Sequence, residues 1–393
     1  MGGSSNVSSP EHPMRVADAL NIADLRRLAQ RRLPRMVSDY IDGGSEDEMT
    51  LAANVDRLRA RRLVPDVLVD IATIDTRRSV LGANLQLPFF IAPTAASRLF
   101  HVSGERAVAR ASDAAGIAYA LSTIGSTTIE DVAKVCPGPK FLQIYVWKDR
   151  GLVREVLARA KSAGFTAAIL TVDVPVAGNR ERDPRNGFSI PPRPTLKAAR
   201  QVLARPAWAW DLARSPPIRP ENFIDAVPAI GGGMIDFIND QFDRSVTWSD
   251  AAEIAAHWGG PFAIKGIAAP ADARRCLDAG ASAVWVSNHG GRQLDGAAAT
   301  IDLLEPIVEA IDGRAEIVFD GGIRRGTDIV KALALGATAC AIGRAYLWGL
   351  AAAGEAGVAR TIDILATELR RDLALMGAPS LAALARRHVR ELR

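Results

Sequence analysis

The chain has 393 residues, of which 48% are hydrophobic and 23% are charged, a composition that indicates a folded globular protein and excludes disorder over most of its length. Its formal net charge of +4 is spread over 48 basic and 44 acidic residues without a nucleic-acid motif, so we expect no nucleic-acid partner. Three widely separated cysteines, Cys136, Cys276 and Cys340, argue against a disulfide framework or a zinc site and fit a reducing compartment.

The first thirteen residues are small and polar and lack the basic start and apolar core of a secretory signal, so we expect 1–13 to be a flexible N-terminal tail. The stretch that follows, NIADLRRLAQRRLPRMVSDYIDGG, predicts a helical opening that stops at Gly43 and Gly44. The sequence contains no run of 18 uncharged apolar residues, because even AIGRAYLWGLAAAG carries Arg344. We therefore expect no membrane span, and a single domain over 14–393.

Eight short apolar runs recur after this opening, and segments with helical periodicity fill most of the intervals between them. The runs are FFIAPTA, AYALSTIG, FLQIYV, AAILTVDVP, PFAIKGI, AVWVSNHGG, EIVFDGG and ATACAIGR. Because they are apolar on both faces, they indicate parallel strands covered by helices. A doubly wound sheet remains an alternative, but the count of eight favours an α/β fold of the single eightfold β/α (TIM) barrel type.

Polar or glycine residues end nearly every one of these runs. They are Thr94, Ser122, Gln143, Tyr145, Thr171, Asp173, Lys265, Ser287, His289, Asp320, Gly321, Gly322, Gly343 and Arg344. In a β/α barrel the C-terminal ends of the strands meet at one mouth, where active sites lie. We therefore predict that these residues form one cluster.

The sixth run leads directly into SNHGGRQLD, which places His289 at a strand end beside open backbone. This histidine could be an ordinary loop residue, or it could be a general base. Asp173, at the end of the fourth run, could fix its tautomer and support the imidazolium. Arg180 and Arg292 could hold a carboxylate, because guanidinium and carboxylate groups match in a bidentate pair.

Two glycine-containing loops, DGGIRRG and IGR, are suited to phosphate, because glycine lets backbone N–H groups approach an anion and Arg324 or Arg344 could bind its oxygens. Each loop could also be a plain tight turn, but the loops after strands seven and eight are the usual phosphate site of β/α barrels. Lys265 lies in an apolar strand and could form a structural ion pair, face a delocalised anion or form a Schiff base.

One interval, 176–260, is too long for a single crossover and contains the Pro-, Arg- and Trp-rich stretch IPPRPTLKAARQVLARPAWAWDLARSPP. Such an excursion after strand four predicts either a lid over the barrel mouth or a docking surface.

Four motifs in order closely resemble the FMN-dependent L-2-hydroxy acid dehydrogenases and oxidases, the family of glycolate oxidase, flavocytochrome and bacterial L-lactate dehydrogenases, and mandelate dehydrogenase. They are FLQIYVWKDR, LTVDVPVAGNRERD, SNHGGRQLD and DGGIRRGTDIVKALALGA, within a similarity that covers roughly 20–385. The resemblance implies an eightfold β/α barrel with FMN at its mouth. It also implies oxidation of an L-2-hydroxy acid, such as L-lactate or (S)-mandelate, to the 2-keto acid.

The resemblance assigns roles in catalysis and substrate binding. It implies that His289 is the base that removes a proton from the substrate, and that Asp173 is its partner. Arg180 and Arg292 would bind the substrate carboxylate.

Four further residues complete the expected substrate site. Tyr40, in VSDYIDGG, and Tyr145 would contact the carboxylate and the hydroxyl. Ile124 stands where glycolate oxidases carry tryptophan, and Ala177 where they carry leucine. Both differences open space beside the α-carbon, which predicts substrates with side chains larger than hydrogen.

On the cofactor side, the resemblance implies that Lys265 faces the flavin ring and stabilises the negative charge of reduced FMN. The other expected FMN contacts are Thr94, Ala95, Ser122, Gln143, Thr171, Ser287, Asp320, Gly321, Gly322, Arg324, Gly343 and Arg344.

The sequence leaves the electron acceptor and the surroundings of the protein open. Our leading expectation is a dehydrogenase that passes electrons to a quinone or another acceptor, and the close alternative is an oxidase that uses O2 and releases hydrogen peroxide. A flavoprotein repurposed to act on a peptide, or without catalytic activity, is a third option, against which the full set of site residues argues. We expect a cytoplasmic homotetramer.

In bacterial lactate and mandelate dehydrogenases the comparable excursion includes a membrane-associating segment. Here apolar residues alternate with basic ones near helical spacing, which suits a membrane interface on the inner face of the cell membrane and a lid equally well. The apolar residues are Leu196, Ala199, Val202 and Leu203, and the basic ones are Lys197, Arg200 and Arg205.

Overall fold

Eight parallel strands form a closed barrel in the computed structural model, which describes residues 14–188, 195–223 and 240–391. The strands are β1 Phe89–Ile91, β2 Tyr119–Ser122, β3 Lys140–Ile144, β4 Ala167–Thr171, β5 Phe262–Ile267, β6 Ala283–Val286, β7 Glu316–Phe319 and β8 Ala339–Ile342. Each strand comes from one of the eight predicted runs, and β8 pairs with β1 to close the barrel. The predicted eightfold β/α barrel is thereby confirmed. The expected N-terminal tail, 1–13, lies outside the described residues.

The interior of the barrel is filled by side chains, so it is a packed core and not a pore. Phe90 contacts Phe141 and Trp285 edge to face, with 5.3 Å between ring centroids in both pairs. Small residues such as Ala120 and Ala263 make room for these rings. Strands β3 and β4 are buried at every position, because the core lies on one face and helices cover the other.

Helices precede the barrel, follow its strands and cover its outside. They are α1 Ile22–Arg32, α2 Arg35–Asp42, α3 Met49–Ala60, α4 Gly104–Ala114, α5 Ile129–Val135, α6 Arg150–Ser162, α7 Arg182–Asn186, α8 Leu196–Leu203, α9 Pro206–Ala213, α10 Trp248–Trp258, α11 Pro270–Asp278, α12 Thr300–Ile311, α13 Gly326–Ala334 and α14 Arg344–Leu375. The last helix is interrupted at Ala353 and Gly354, where the backbone leaves helical geometry.

The predicted helical opening is divided into α1 and α2. Leu33 is extended, and Pro34 starts the second helix, because proline disfavours helical geometry in the residue before it. Two pairs of short antiparallel strands lie outside the barrel: Arg61–Leu63 with Val389–Glu391, and Arg78–Val80 with Ala83–Leu85.

The excursion returns to the barrel at a defined place. Within its described part, Phe242 forms an antiparallel bridge with Trp147, just beyond β3. Trp208 is buried and its indole Nε1 donates to the Leu99 carbonyl at 2.9 Å. Other residues of α8 and α9 are exposed: Leu196 is 83% and Leu203 78% accessible. No helix in the described ranges is long and apolar enough to cross a membrane.

Candidate active site

A cavity of about 1520 Å³, including the space at its open mouth, lies at the C-terminal ends of the barrel strands. Most of the residues predicted to form one cluster line this cavity or lie directly behind its lining. The predicted residues in its lining are Tyr40, Thr94, Ala95, Ser122, Ile124, Tyr145, Ala177, Arg180, Lys265, His289, Arg292, Asp320, Gly343 and Arg344. Asp173, Gln143 and Ser287 lie behind this lining and bind to it through hydrogen bonds, and Thr171 binds to Gln143.

His289 and Asp173 form a hydrogen-bonded pair at the ends of β6 and β4. The His289 Nδ1 lies 2.9 Å from Asp173 Oδ1. His289 has a left-handed backbone (φ +56°), and its N–H donates to Ser287 Oγ at 3.1 Å. Gly266 in β5 lets Asp173 approach, because a Cβ at this position would lie 2.7 Å from the Asp173 Cβ. The fold therefore holds the pair from three strands.

The electrostatics of this pair favour a neutral imidazole. Burial lowers the pKa of His289, and the nearby Asp173 carboxylate opposes this effect only in part. Burial opposes ionisation of Asp173, but the charge of Lys265 and the hydrogen bond from His289 hold the pKa of its carboxyl below the usual value. Because an ionised carboxylate only accepts hydrogen bonds, Nδ1 carries the proton and Nε2 keeps its lone pair. The Nε2 atom of His289 can therefore accept a proton.

Lys265 lies among three partners. Its Nζ donates to Ser287 Oγ at 2.9 Å and lies 3.8 Å from a carboxylate oxygen of both Asp173 and Asp320. Asp320 is fixed in turn by Ser287 Oγ at 2.8 Å and by the Trp285 indole at 2.9 Å. The lysine therefore forms the structural ion pair that was one of its predicted options, and it also faces the cavity.

A strip of polar groups crosses the neighbouring strands β2, β3 and β4. Ser122 Oγ donates to Gln143 Oε1 at 2.8 Å, and Gln143 Nε2 donates to Thr171 Oγ1 at 2.9 Å. All three side chains are buried. Since each amide and hydroxyl has further hydrogen-bonding capacity, the strip can bind a ligand that carries both donors and acceptors.

Arg292 and Arg180 lie beside Tyr40, at the end of α2. Arg292 Nη1 donates to the carbonyls of Tyr40 at 2.7 Å and Gly43 at 3.0 Å. The guanidinium carbons of Arg292 and Arg180 lie 4.8 and 5.7 Å from the centroid of the Tyr40 ring. Burial lowers the pKa of Arg292, and the positive charge of Arg180 lowers it further. Two cations held together in this way form a site for an anion such as a carboxylate.

Arg344 begins α14 and also contacts the end of α2. It donates to the carbonyls of Ile41, Gly43 and Gly290 at 2.9, 2.8 and 2.8 Å. Burial holds the pKa of its guanidinium well below the usual value, and Arg292 adds to this effect. Among the described residues it forms no ion pair, so this end of the cavity carries uncompensated positive charge. A phosphate would supply the missing negative charge.

The other predicted phosphate residues lie outside the cavity lining. Gly321 and Gly322 have positive φ and pack against Thr300 and Asn54, each of which would clash with a Cβ at 2.2 Å. Arg324 stacks on Trp348, 4.7 Å from the ring, and burial lowers its pKa to about 10. The turn and its packing give the glycine pair a structural role, and its contact with FMN stays a prediction.

Several residues of the cavity lining are not indicated by the sequence. Phe242 stacks on Tyr145 with ring centroids 4.7 Å apart. Gln293, which lies inside the SNHGGRQLD motif, donates to the Asp173 carbonyl at 3.0 Å. Its place in the motif was a usable signal, whereas no local pattern marked Phe242. The other missed residues of the lining are Ile41, Ala92, Pro93, Ala96, Phe100, Val174, Ile218, Arg219, Pro220, Gly290 and Leu347.

Comparison with known proteins identifies the family to which the chain belongs. A family model described as FMN-dependent dehydrogenase matches residues 29–391. An L-lactate dehydrogenase of Caulobacter vibrioides is 41% identical over 366 residues, which span 92% of this chain and 95% of that protein. An L-lactate oxidase of Nostoc sp. is 42% identical over 372 residues, which span 93% and 96%. A crystal structure of the monotopic membrane protein (S)-mandelate dehydrogenase aligns with a TM-score of 0.90 and 36% identity over 95% of this chain and 100% of that one. The chain therefore belongs to the FMN-dependent dehydrogenase family.

Proposed function

We propose that this protein uses FMN to oxidise an L-2-hydroxy acid, of the L-lactate or (S)-mandelate kind, to the corresponding 2-keto acid. One observation supports this most strongly. The His289–Asp173 pair faces the same cavity as Arg180 and Arg292, so a base and a carboxylate site lie together. Because the hydroxyl-bearing carbon of a 2-hydroxy acid is bonded to its carboxylate, binding the carboxylate brings the reacting carbon near the base.

The residues present fit FMN. The polar strip Ser122–Gln143–Thr171 suits the donors and acceptors of a flavin ring, and Lys265 suits its anionic reduced form. Arg344 suits the phosphate, because its buried guanidinium forms no ion pair among the described residues. At Gly343, ahead of α14, a Cβ would meet nothing within 4 Å, so there is room for an anion at this helix N-terminus. When bound, FMN supplies the capacity to take two electrons from the substrate.

The chain's own residues then have distinct tasks. Arg292 and Arg180 bind the carboxylate and orient the α-carbon. Burial raises the pKa of the Tyr145 phenol far above its usual value, so this group stays protonated and donates to the substrate. His289 Nε2 accepts one of the two protons that the oxidation removes, and Asp173 stabilises the resulting imidazolium. Tyr40, whose ring lies beside both arginines, contacts the carboxylate.

The side of the cavity away from the charged groups is apolar. Its lining includes Phe100, Ile124, Val174, Ala177 and Phe242. We infer that the substrate carries an apolar side chain larger than the hydrogen of glycolate, since burying it there is favourable and burying water is not.

Reduction of the flavin tests this function. Anaerobic mixing of the FMN-loaded protein with L-lactate, (S)-mandelate, longer aliphatic L-2-hydroxy acids and glycolate should bleach the flavin absorbance, more slowly with glycolate than with the larger acids. Absence of bleaching with every acid would contradict the function. Faster bleaching with glycolate would contradict only the inference about the side chain.

For the acceptor, we propose a quinone or another acceptor rather than O2. The measurement is the yield of hydrogen peroxide per turnover in air. Little peroxide, together with fast reduction of an added quinone, would support a dehydrogenase. Stoichiometric peroxide at a fast rate would identify an oxidase. Turnover with a 2-hydroxy acid in either case would exclude the alternatives of a flavoprotein that acts on a peptide or has no catalytic activity.

We also propose that 14–393 form one FMN-binding domain in which 176–260 serve as a lid or as a membrane-docking segment. The lid is supported by Ile218, Arg219 and Phe242, which come from this segment and line the cavity. Docking is supported by the exposed Leu196, Leu203 and Trp210 and by the monotopic character of the similar (S)-mandelate dehydrogenase. The protein would be a cytoplasmic homotetramer that binds peripherally to the inner face of the cell membrane.

A further inference from the structure

A second cavity lies directly behind the wall of the first, next to the candidate active site. Its volume is about 810 Å³, against about 1520 Å³ for the active-site cavity, and both figures include the space at an open mouth. Three residues line both cavities and therefore form the wall between them: Tyr145, Val174 and Phe242. Most of the remaining lining of the second cavity is apolar. It includes Val146, Val246, Trp248, Ala251 and Ile264.

Phe242 is the largest apolar part of this wall, and its backbone is held firmly. The Lys148 N–H donates to the Gln241 carbonyl, and the Asp243 N–H donates to the Val146 carbonyl, both at 2.9 Å. Arg150 adds an ion pair to Asp243 at 2.6 Å. These bonds tie the returning end of the excursion to the chain just beyond β3.

The ring of Phe242 is also fixed, by burial and by stacking on Tyr145. It is 5% exposed and stacks on Tyr145 with centroids 4.7 Å apart and planes at 29°. Because Tyr145 stands beside the substrate hydroxyl in the proposed function, a side chain on the α-carbon that extends along the apolar wall meets Phe242. Tyr145 is needed for substrate binding in the proposed function, so Phe242 is the large wall side chain that can be removed without loss of a substrate contact.

We propose that Phe242 determines the substrate range by limiting the length of the apolar side chain that the active site accepts. This inference rests on the proposed function, in that the occupant of the cavity is a 2-hydroxy acid. Removal of the ring would join the two cavities. A longer alkyl chain could then pass beside Tyr145 and be buried among Val146, Val246 and Ile264.

The test compares the Phe242→Ala variant with the unsubstituted protein, both loaded with FMN. The quantity measured is the ratio of kcat/KM for L-2-hydroxyoctanoate to that for L-lactate, from anaerobic flavin reduction. We expect this ratio to rise by roughly tenfold or more in the variant, because several methylene groups gain a buried site. Phe242→Trp should lower the same ratio, because a larger ring fills the passage.

Phe223→Ala is the matched control. Phe223 also belongs to the excursion, is 4% exposed and packs on an aromatic ring, that of Trp147, with centroids 4.1 Å apart. It is absent from the described lining of both cavities, so its removal should leave the ratio unchanged within about twofold. An equal rise in both variants would mean that general loosening changes the ratio, and this would overturn the proposal.

Binding of unreactive acids separates this proposal from the proposed function. The dissociation constants of propanoate and octanoate can be measured from their perturbation of the flavin absorbance, with no oxidation involved. Phe242→Ala should strengthen octanoate binding relative to propanoate by a similar factor. If no 2-hydroxy acid reduced the flavin of the unsubstituted protein, the proposed function would be wrong. The binding measurement would still test whether Phe242 limits the length of the acid that the cavity accepts. A preference for octanoate that is unchanged in folded, FMN-loaded Phe242→Ala and Phe242→Trp would overturn the role of Phe242.

Discussion

Arg292 and Arg344 donate hydrogen bonds to one and the same oxygen, the carbonyl of Gly43, at 3.0 and 2.8 Å. Two guanidinium groups are thus held side by side, and within the described part of the chain neither has a carboxylate within ion-pair distance. Like charges at this separation repel each other, which is costly in a buried site. Anions supplied from outside would relieve this repulsion, and we expect one anion for each arginine.

Replacement of Arg344 with Gln should loosen FMN, because the amide carries no charge to pair with the phosphate. We expect the dissociation constant of FMN to rise by ten- to a hundredfold, the scale of a lost charged hydrogen bond. The rise can be measured from the fluorescence of released flavin during dilution. Arg77→Gln, at an exposed arginine, is the control and should leave FMN binding unchanged. Equal affinity in the Arg344 and Arg77 variants would show that Arg344 does not bind the phosphate.

Replacement of Arg292 with Lys should weaken binding of the substrate, because an ammonium cannot form the bidentate pair that a guanidinium forms with a carboxylate. We expect KM to rise by about ten- to a hundredfold, with a smaller loss in kcat. Steady-state kinetics with L-lactate would show this, and the FMN content should stay unchanged. An unaltered KM would remove Arg292 from the carboxylate site.

Replacement of His289 with Gln should leave the protein yellow, since the imidazole faces the substrate rather than the cofactor phosphate. Flavin reduction should slow by about a hundred- to ten-thousandfold, the usual range for loss of a general base. Stopped-flow absorbance under anaerobic conditions gives this rate directly. If the variant lost FMN yet regained the full rate when FMN was added back, the base would have to be another group.

The rate should depend on pH through the imidazole of His289. Burial lowers its pKa, so the neutral, proton-accepting form prevails at neutral pH, and kcat/KM should fall only as the pH drops through a midpoint below about 6.5. In Asp173→Asn the carboxylate that raises this pKa is gone, so the midpoint should move to still lower pH while the plateau rate falls. The measurement is a pH profile of kcat/KM for both proteins. A midpoint that moved upward would contradict the pairing.

Substitution of the exposed apolar residues Leu196, Leu203 and Trp210 with Ser should reduce binding to membranes. Each of these side chains is more than half exposed, so the change should leave folding and flavin reduction unaffected. Co-sedimentation with vesicles that contain anionic lipid is the assay. Equal sedimentation of the two proteins would show that this surface does not dock, and absence of binding by the unchanged protein would rule out the docking role altogether.

The barrel was predictable because its signal is local. Each strand is a short run that is buried on both faces, and the helices between the strands repeat with their own period, so alternation and count were enough. The break at Pro34 was also readable in principle from the chain, since proline restricts the residue before it.

The wall of the candidate site was harder to predict from the sequence. Phe242 stacks on Tyr145 because the end of the excursion forms an antiparallel bridge with Trp147. No local sequence pattern predicts this contact. The stretch PAWAW likewise does not reveal that Trp208 is buried against Leu99 while Trp210 is 64% exposed. In the same way, the sequence around Gly321 and Gly322 suggested phosphate, whereas the conformation of the pair also satisfies packing against Thr300 and Asn54.

The stretch from Tyr40 to Gly43 also bears on whether the chain folds before or after it binds FMN. Its carbonyls bind arginines that lie 249 to 303 positions later in the chain, so the anion sites exist only after residues close to both ends have met. Contacts between such distant parts form late, because a long loop must first be closed. We therefore expect a nearly finished fold to bind FMN, so that the binding energy stabilises the folded chain rather than directing how the barrel forms.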